Sequence, residues 1–215
     1  MSKFQPLPFP GRTTIEQDRI TNPDRKLPAA PSSPSILTLE LTTVCNNFCS
    51  GCANVELSRL KKDRKNNIAY MKRWREIIDI IAPNISDNPP VIRLSGGEPT
   101  LHPEFEAIVD YLELLRLPHA LLTTGRWTKL RTDQILKIYG RCSYTAGMLI
   151  SLHGSNQSSH SAFVESIDRA FGETCSNIKS AARSGVTVFT NTVLTKFSCM
   201  EIEDIVLLAM SLGAK

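Results

Sequence analysis

No apolar run in the 215 residues approaches the roughly 20 needed to cross a bilayer, so no stretch of this sequence reads as a spanning helix. The basic segment and following apolar stretch of a secretory signal are also missing. Six cysteines in a chain of this length, three clustered and three scattered, do not make a disulfide framework. The expected setting is therefore reducing and cytoplasmic. Excess charge is modest as well: the formal net charge is +4 and the isoelectric point about 8.8. That balance gives no argument for nucleic acid. Lys61, Lys62, Arg64 and Lys65 form the one dense basic cluster, and they read as a solvated face. Internal repeats and long low-complexity tracts are absent.

Proline is present but unevenly spread. Seven of the 13 prolines fall within residues 1–35, in segments such as PLPFPG and PAAPSSPS. Proline removes backbone donors and favours extended chain. Residues 1–35 are expected to form a proline-rich arm, and residues 36–215 the folded core.

Within the core, apolar runs alternate with helical periodicity. ILTLELT (36–42), VIRL (91–94), HALLTT (119–124), AGMLISLHG (146–154) and VTVFTNTVLT (186–195) read as strands. Tyr70, Met71, Trp74, Ile77, Ile78 and Ile81 recur at helical spacing, as do Phe105, Ile108, Val109 and Leu112 after His102-Pro103-Glu104. Further helices are expected over 132–140 and over 172–184, the latter stopped by Gly185. Ser198 with Glu201 has the spacing of a capping box before a last helix. Five strand-then-helix units predict an α/β fold with a parallel sheet. The continuous apolar runs suggest strands buried on both faces. The unusual residues all follow strand ends, which favours a closed or nearly closed (β/α) barrel with its chemistry at the strand C-termini.

The first of those strand ends carries TTVCNNFCSGCAN, with Cys45, Cys49 and Cys52 in C-x3-C-x2-C spacing. Thiolates are soft ligands that suit zinc or iron–sulfur, and a closed structural zinc site wants four. The second carries LSGGEPTLHPEF. Two glycines there permit close backbone approach, and a carboxylate beside them can accept a hydrogen bond from an ammonium group. Together Cys45-x3-Cys49-x2-Cys52 and Gly96-Gly97-Glu98-Pro99 resemble the radical S-adenosylmethionine (radical SAM) superfamily. The resemblance covers most of residues 36–215 and implies a partial (β/α) barrel. It implies a [4Fe-4S] cluster on the three cysteines, with one iron left for the amino and carboxylate groups of S-adenosyl-L-methionine. Gly96, Gly97 and Glu98 then lie beside the methionine end. Ser151 and Asn191 match positions that contact the ribose or methionine. A one-electron donor such as flavodoxin or ferredoxin is implied, with reductive cleavage to a 5′-deoxyadenosyl radical that takes hydrogen from a substrate.

This sequence departs from the family pattern at several places. Gly51 stands where an aromatic residue often helps hold adenine, which leaves that task to Phe48 or to a later strand. Thr124 stands where an asparagine is frequent. His153 can be a cofactor contact, a substrate contact, a proton donor or simply a rim histidine. His102 reads as a helix-entry residue, and Arg126 with Trp127 as substrate-framing or packing residues at the rim. Cys142, Cys175 and Cys199 lack ligand spacing and read as free thiols. Family cores usually have six strand–helix units and five are legible here, so the last unit is expected to be missing. The resemblance is strongest to members that modify ribosomally made peptides. A small metabolite or cofactor precursor is the alternative substrate, and a non-catalytic iron–sulfur or zinc module the alternative class.

Overall fold

The computed structural model describes residues 36–55, 73–82, 89–166, 169–196 and 198–215. The proline-rich arm, Tyr70 with Met71, and the basic cluster at 61–65 lie outside the described residues. Five strands, β1 (Ile36–Thr42), β2 (Val91–Gly96), β3 (His119–Thr123), β4 (Thr145–Ser151) and β5 (Val188–Asn191), form one sheet in sequence order. All four pairings are parallel. The α-helices that lie within the described residues are α1 (Trp74–Ile81), α2 (Phe105–Leu114), α3 (Lys129–Tyr139), α4 (Gln157–Val164), α5 (Ala170–Arg183) and α6 (Ile202–Ser211). None of them is long and apolar enough to cross a membrane, among the described residues.

The α/β class and the parallel pairing agree with the sequence expectation, but the sheet does not close. Among the described residues, β1 and β5 are not paired with each other and form its two edges. The expectation of strands buried on both faces also needs correction. Leu39, Leu41, Ile92, Leu94, Leu121, Met148 and Ile150 are buried, whereas the intervening Glu40, Arg93, Leu122 and Leu149 are exposed or half-buried. Side chains alternate across a strand, so one face carries the core and the other stays open. Phe105, Ile108, Val109 and Leu112 of α2 join that core, with Ile135 of α3 and Ile178 of α5. Burial of each such side chain contributes roughly 1.5–3 kcal/mol.

Local chemistry sets the element ends. Thr128 caps α3, its hydroxyl accepting the Arg131 N–H at 3.3 Å. α5 is followed by Gly185 at φ +86°, as the sequence suggested. The QSSHSAFV segment lacks an apolar stripe, so α4 was not foreseen. Its start is fixed by Asn156, whose side chain accepts from the N–H groups of Ser158 and Ser159 at 2.9 and 3.1 Å. The capping box at Ser198 is not formed. Ser198 makes no side-chain cap bond, and Glu201 instead accepts from the hydroxyls of Ser155 and Ser159 at 2.8 and 2.6 Å.

Candidate metal and cofactor site

The strand C-termini converge on a cavity of about 200 Å³. Cys45, Cys49 and Cys52 line it from the loop after β1, and Gly96 and Gly97 from the end of β2. Ser151 and Asn191 line it from β4 and β5, where they are directly paired across the parallel ladder. Leu122 and Leu149, paired in the same way, also line this cavity.

The two glycines have a structural reason. A Cβ on Gly97 would lie 2.2 Å from the Val44 carbonyl oxygen, and one on Gly96 2.4 Å from that of Thr42. Gly96 also sits at φ +126°, a conformation open to glycine. The backbone therefore packs flat against residues 42–44, with Gly97 N–H donating to Thr42 at 2.6 Å and Glu98 N–H to Val44 at 2.7 Å. Gly-Gly thus docks the root of the cysteine loop as well as facing the cavity.

Glu98 is placed differently from the sequence expectation of a carboxylate beside a ligand ammonium. It is fully buried and does not line the cavity. Its Oε1 accepts from Thr100 N–H and Oγ1 at 3.2 and 2.6 Å. Its Oε2 accepts from Thr124 N–H and Oγ1, both at 2.8 Å, and Thr123 Oγ1 lies 2.8 Å from each oxygen. The carboxylate is thus held by hydroxyl and amide donors, the arrangement that makes a buried charge tolerable.

Thr124 extends this network to the cysteine loop, its hydroxyl lying 3.2 Å from Asn46 Oδ1. Asn46 Nδ2 donates to the Arg126 carbonyl at 2.7 Å, and Arg126 Nη1 returns a bond to the Asn46 carbonyl at 2.9 Å. The same guanidinium bonds Ser166 and pairs with Glu173 at 3.0 Å. On the other side, Phe48 N–H and Ser50 N–H donate to the carbonyls of Val164 and Phe163 at the end of α4. Cys49 packs on Phe163, Val164 and Ala170. Arg126 is therefore a clamp on the cysteine loop, a role without sequence signal because its partners are distant in the chain. Trp127 is buried in the core and does not frame the cavity. Phe48 is half exposed.

Burial pushes the Cys45 thiol up to about 11, with the charges of Glu98 and Cys52 adding to it. Burial likewise pushes Cys49 up to about 12, with Cys45 and Cys52 adding. Three thiols close enough to repel one another as thiolates form a donor set that a cation would stabilise. All are free of disulfides. No fourth cysteine lines the cavity, among the described residues; the other lining groups are hydroxyls, amides and aliphatic side chains. Three soft donors beside an otherwise uncharged space fit an iron–sulfur cluster with one position left for an exogenous ligand.

His153 and His160 stand just behind this rim. His160 Nδ1 accepts from the His153 N–H at 3.1 Å, and His153 Nδ1 from the Val193 N–H at 3.2 Å. The His153 ring packs on Phe163 at 4.3 Å between centroids. Burial lowers both imidazoles to about 4, with the neighbouring His160 adding to the shift of His153. Their geometry is that of packed, neutral histidines. His102 Nδ1 accepts from the Glu104 N–H at 3.1 Å, a turn contact ahead of α2.

A parallel α/β sheet with three thiols and paired polar residues at its strand C-termini defines an enzyme core of the cofactor-binding (β/α) type. The radical SAM superfamily profile matches residues 39–209, and the chain belongs to that superfamily, whose members use a [4Fe-4S] cluster and S-adenosyl-L-methionine. It is 27% identical over 186 residues to the AdoMet-dependent heme synthase of Methanosarcina barkeri, covering 86% of this chain and 50% of that protein. It is 26% identical over 182 residues to AlbA, the antilisterial bacteriocin subtilosin biosynthesis protein of Bacillus subtilis, covering 85% and 38%. The chain thus spans half or less of the curated relatives it matches. Its fold is similar to that of Streptococcus suis SuiB bound to S-adenosylmethionine, with a TM-score of 0.68 at 19% identity, covering 86% of this chain and 40% of that one.

Proposed function

We propose that the chain is the core of a radical SAM enzyme whose substrate is a ribosomally made peptide. Cys45, Cys49 and Cys52 are the ligands of the [4Fe-4S] cluster. Gly96 and Gly97 present backbone to the methionine end of the cofactor, and Ser151 with Asn191 present hydroxyl and amide to its ribose or carboxylate. Glu98 acts one step removed, by holding Thr123 and Thr124 at the rim. When bound, the cluster and S-adenosyl-L-methionine supply a carbon radical able to remove hydrogen from an unreactive position. The protein orients that cofactor and walls it from water with Leu122 and Leu149. Residues 36–215 carry the superfamily core. A flavodoxin or ferredoxin is the electron donor.

The observation that carries this reading is the convergence of Cys45, Cys49, Cys52, Gly96, Gly97, Ser151 and Asn191 on one cavity. Superfamily membership favours it over a non-catalytic zinc or iron–sulfur module. The peptide substrate is supported by similarity to AlbA, a bacteriocin biosynthesis protein, and by the fold shared with SuiB, which is also known bound to the precursor peptide SuiA. Similarity to the heme synthase supports the second reading, a small cofactor precursor.

The test is anaerobic reconstitution followed by dithionite and S-adenosyl-L-methionine. Release of 5′-deoxyadenosine is expected, and its absence from protein with a full cluster would overturn catalysis by this chain. Peptides encoded beside the gene are expected to raise that release and to emerge changed in mass. Stimulation by small cofactor precursors alone would favour the second reading.

A further inference from the structure

The opposite end of the sheet holds a second group of metal-ligating side chains. Glu113 lies on the last turn of α2, His119 opens β3, and Cys142 follows α3. One ligand-capable atom from each lies within 4.8 Å of the others. His119 Nδ1 and Glu113 Oε1 are 3.7 Å apart. Bonds of about 2.0–2.3 Å at tetrahedral angles place ligand atoms about 3.3–3.8 Å from one another. Sequence spacing gave no hint of this trio, because the fold brings together three different elements.

The carboxylate is already oriented. Its oxygens accept from the N–H groups of Ser143 and Tyr144 at 2.7 and 2.9 Å, the kind of outer contact that fixes a metal-bound carboxylate. Each oxygen keeps a second lone pair for an ion. His119 Nδ1 also lies 3.2 Å from the Leu117 carbonyl, and the Cys142 thiol donates to the Ile138 carbonyl at 3.3 Å. Two neighbouring polar atoms have no partner. His119 is fully buried with Nε2 unbonded, and Tyr139 is 2% exposed with its phenol oxygen unbonded, among the described residues. The two rings lie 6.1 Å apart. Tyr139 and Cys142 line a cavity of about 260 Å³.

We propose that Glu113, His119 and Cys142 bind one divalent ion of the zinc type, at a site separate from the cysteine loop. One carboxylate, one imidazole and one thiolate are a donor set that zinc accepts. Cys142 lines the cavity, from which water completes the tetrahedron. Ion entry releases the thiol proton of Cys142 to solvent with loss of its bond to Ile138, and moves the His119 ring proton from Nδ1 to Nε2, so that Nδ1 exchanges the Leu117 carbonyl for the ion. The ion ties α2, β3 and the turn before β4 together, and so acts on the stability of the sheet's lower end rather than on the chemistry at its top. This site is independent of the proposed activity.

The test uses the full chain with Cys45, Cys49 and Cys52 all changed to serine, prepared free of metal and titrated anaerobically with cobalt(II). One equivalent is expected to bind with a thiolate-to-cobalt charge-transfer absorption and the visible bands of a tetrahedral ion. Zinc should displace it. Cys142→Ser on that background should abolish the charge-transfer band, while Cys175→Ser should leave it intact. Zinc should also slow alkylation of Cys142 at least tenfold and leave Cys175 and Cys199 unchanged, a measurement that needs no further variant to fold. Absence of the band, its survival in Cys142→Ser, or equal alkylation with and without zinc would each overturn the proposal.

Discussion

Thr124 gives both its amide and its hydroxyl to one oxygen of Glu98, each at 2.8 Å, and that hydroxyl oxygen stands 3.2 Å from Asn46 of the cysteine loop. The carboxylate just after β2 is thus coupled to the thiol-bearing loop through the side chain that follows β3. In Glu98→Gln, an amide NH₂ would face donors. We expect a loss of about 2–3 kcal/mol in unfolding free energy by urea titration. The variant should also retain less iron after desalting, because the rim that seats the loop is loosened. Unchanged stability would show that the network contributes nothing.

Gly97 and Gly51 separate two demands made on glycine. A Cβ at Gly97 would strike the Val44 carbonyl, whereas one at Gly51 meets nothing within 4 Å although φ is +74°. Gly97→Ala is expected to cost about 3 kcal/mol through forced separation of strand end and loop. Gly51→Ala should cost about 1 kcal/mol, from backbone conformation alone. Equal denaturation midpoints for the two variants would contradict this account.

The cysteine loop should show its burial in its reactivity. In apoprotein, Cys45 and Cys49, pushed up to about 11 and 12, are protonated at pH 8 and present little thiolate. Iodoacetamide should label exposed Cys199 first, and the rates at Cys45 and Cys49 should keep rising beyond pH 10. Mass spectrometry of the digested chain reads this order. Cys49→Ala should abolish the brown colour and iron content of reconstituted protein. Persistence of both would remove Cys49 from the ligand set.

The buried histidine pair sets an acid limit. His153 and His160 fall from 6.5 in the unfolded chain to about 4 in the fold, so the unfolded state binds more protons between those values. Stability should be full above about pH 6.5, decline as pH falls toward 4, and level off below it. The loss is at most about 3 kcal/mol per imidazole. His160→Asn keeps an acceptor for the His153 N–H and should flatten the slope between pH 7 and pH 5 in urea midpoints. An unchanged slope would assign the acid sensitivity elsewhere.

The strands, their parallel order and the residues gathered at their C-termini were legible because each rests on a local pattern: apolar runs for β1 to β5, thiol spacing in the loop, glycines at a strand end. α4 was not legible, since QSSHSAFV has no apolar stripe and only Asn156 marks its start. The roles of Glu98 and Arg126 were hidden for another reason. Apart from Thr100 beside Glu98, the partners that define those roles lie 25 or more residues away, at Thr123, Thr124, Asn46 and Glu173, and the fold of the sheet brings them together. The open sheet was likewise beyond a reading of strand number, because closure depends on whether the first and last strands pair.

The alternation along each strand has a consequence for how such a core can change. Ile150 and Leu121 hold the helices, while their chain neighbours Leu149 and Leu122 look into the cavity. Every second position can therefore be rewritten to suit a new guest molecule while its neighbours keep the scaffold upright. A library confined to the cavity-facing set would explore new reactivity at little risk to folding.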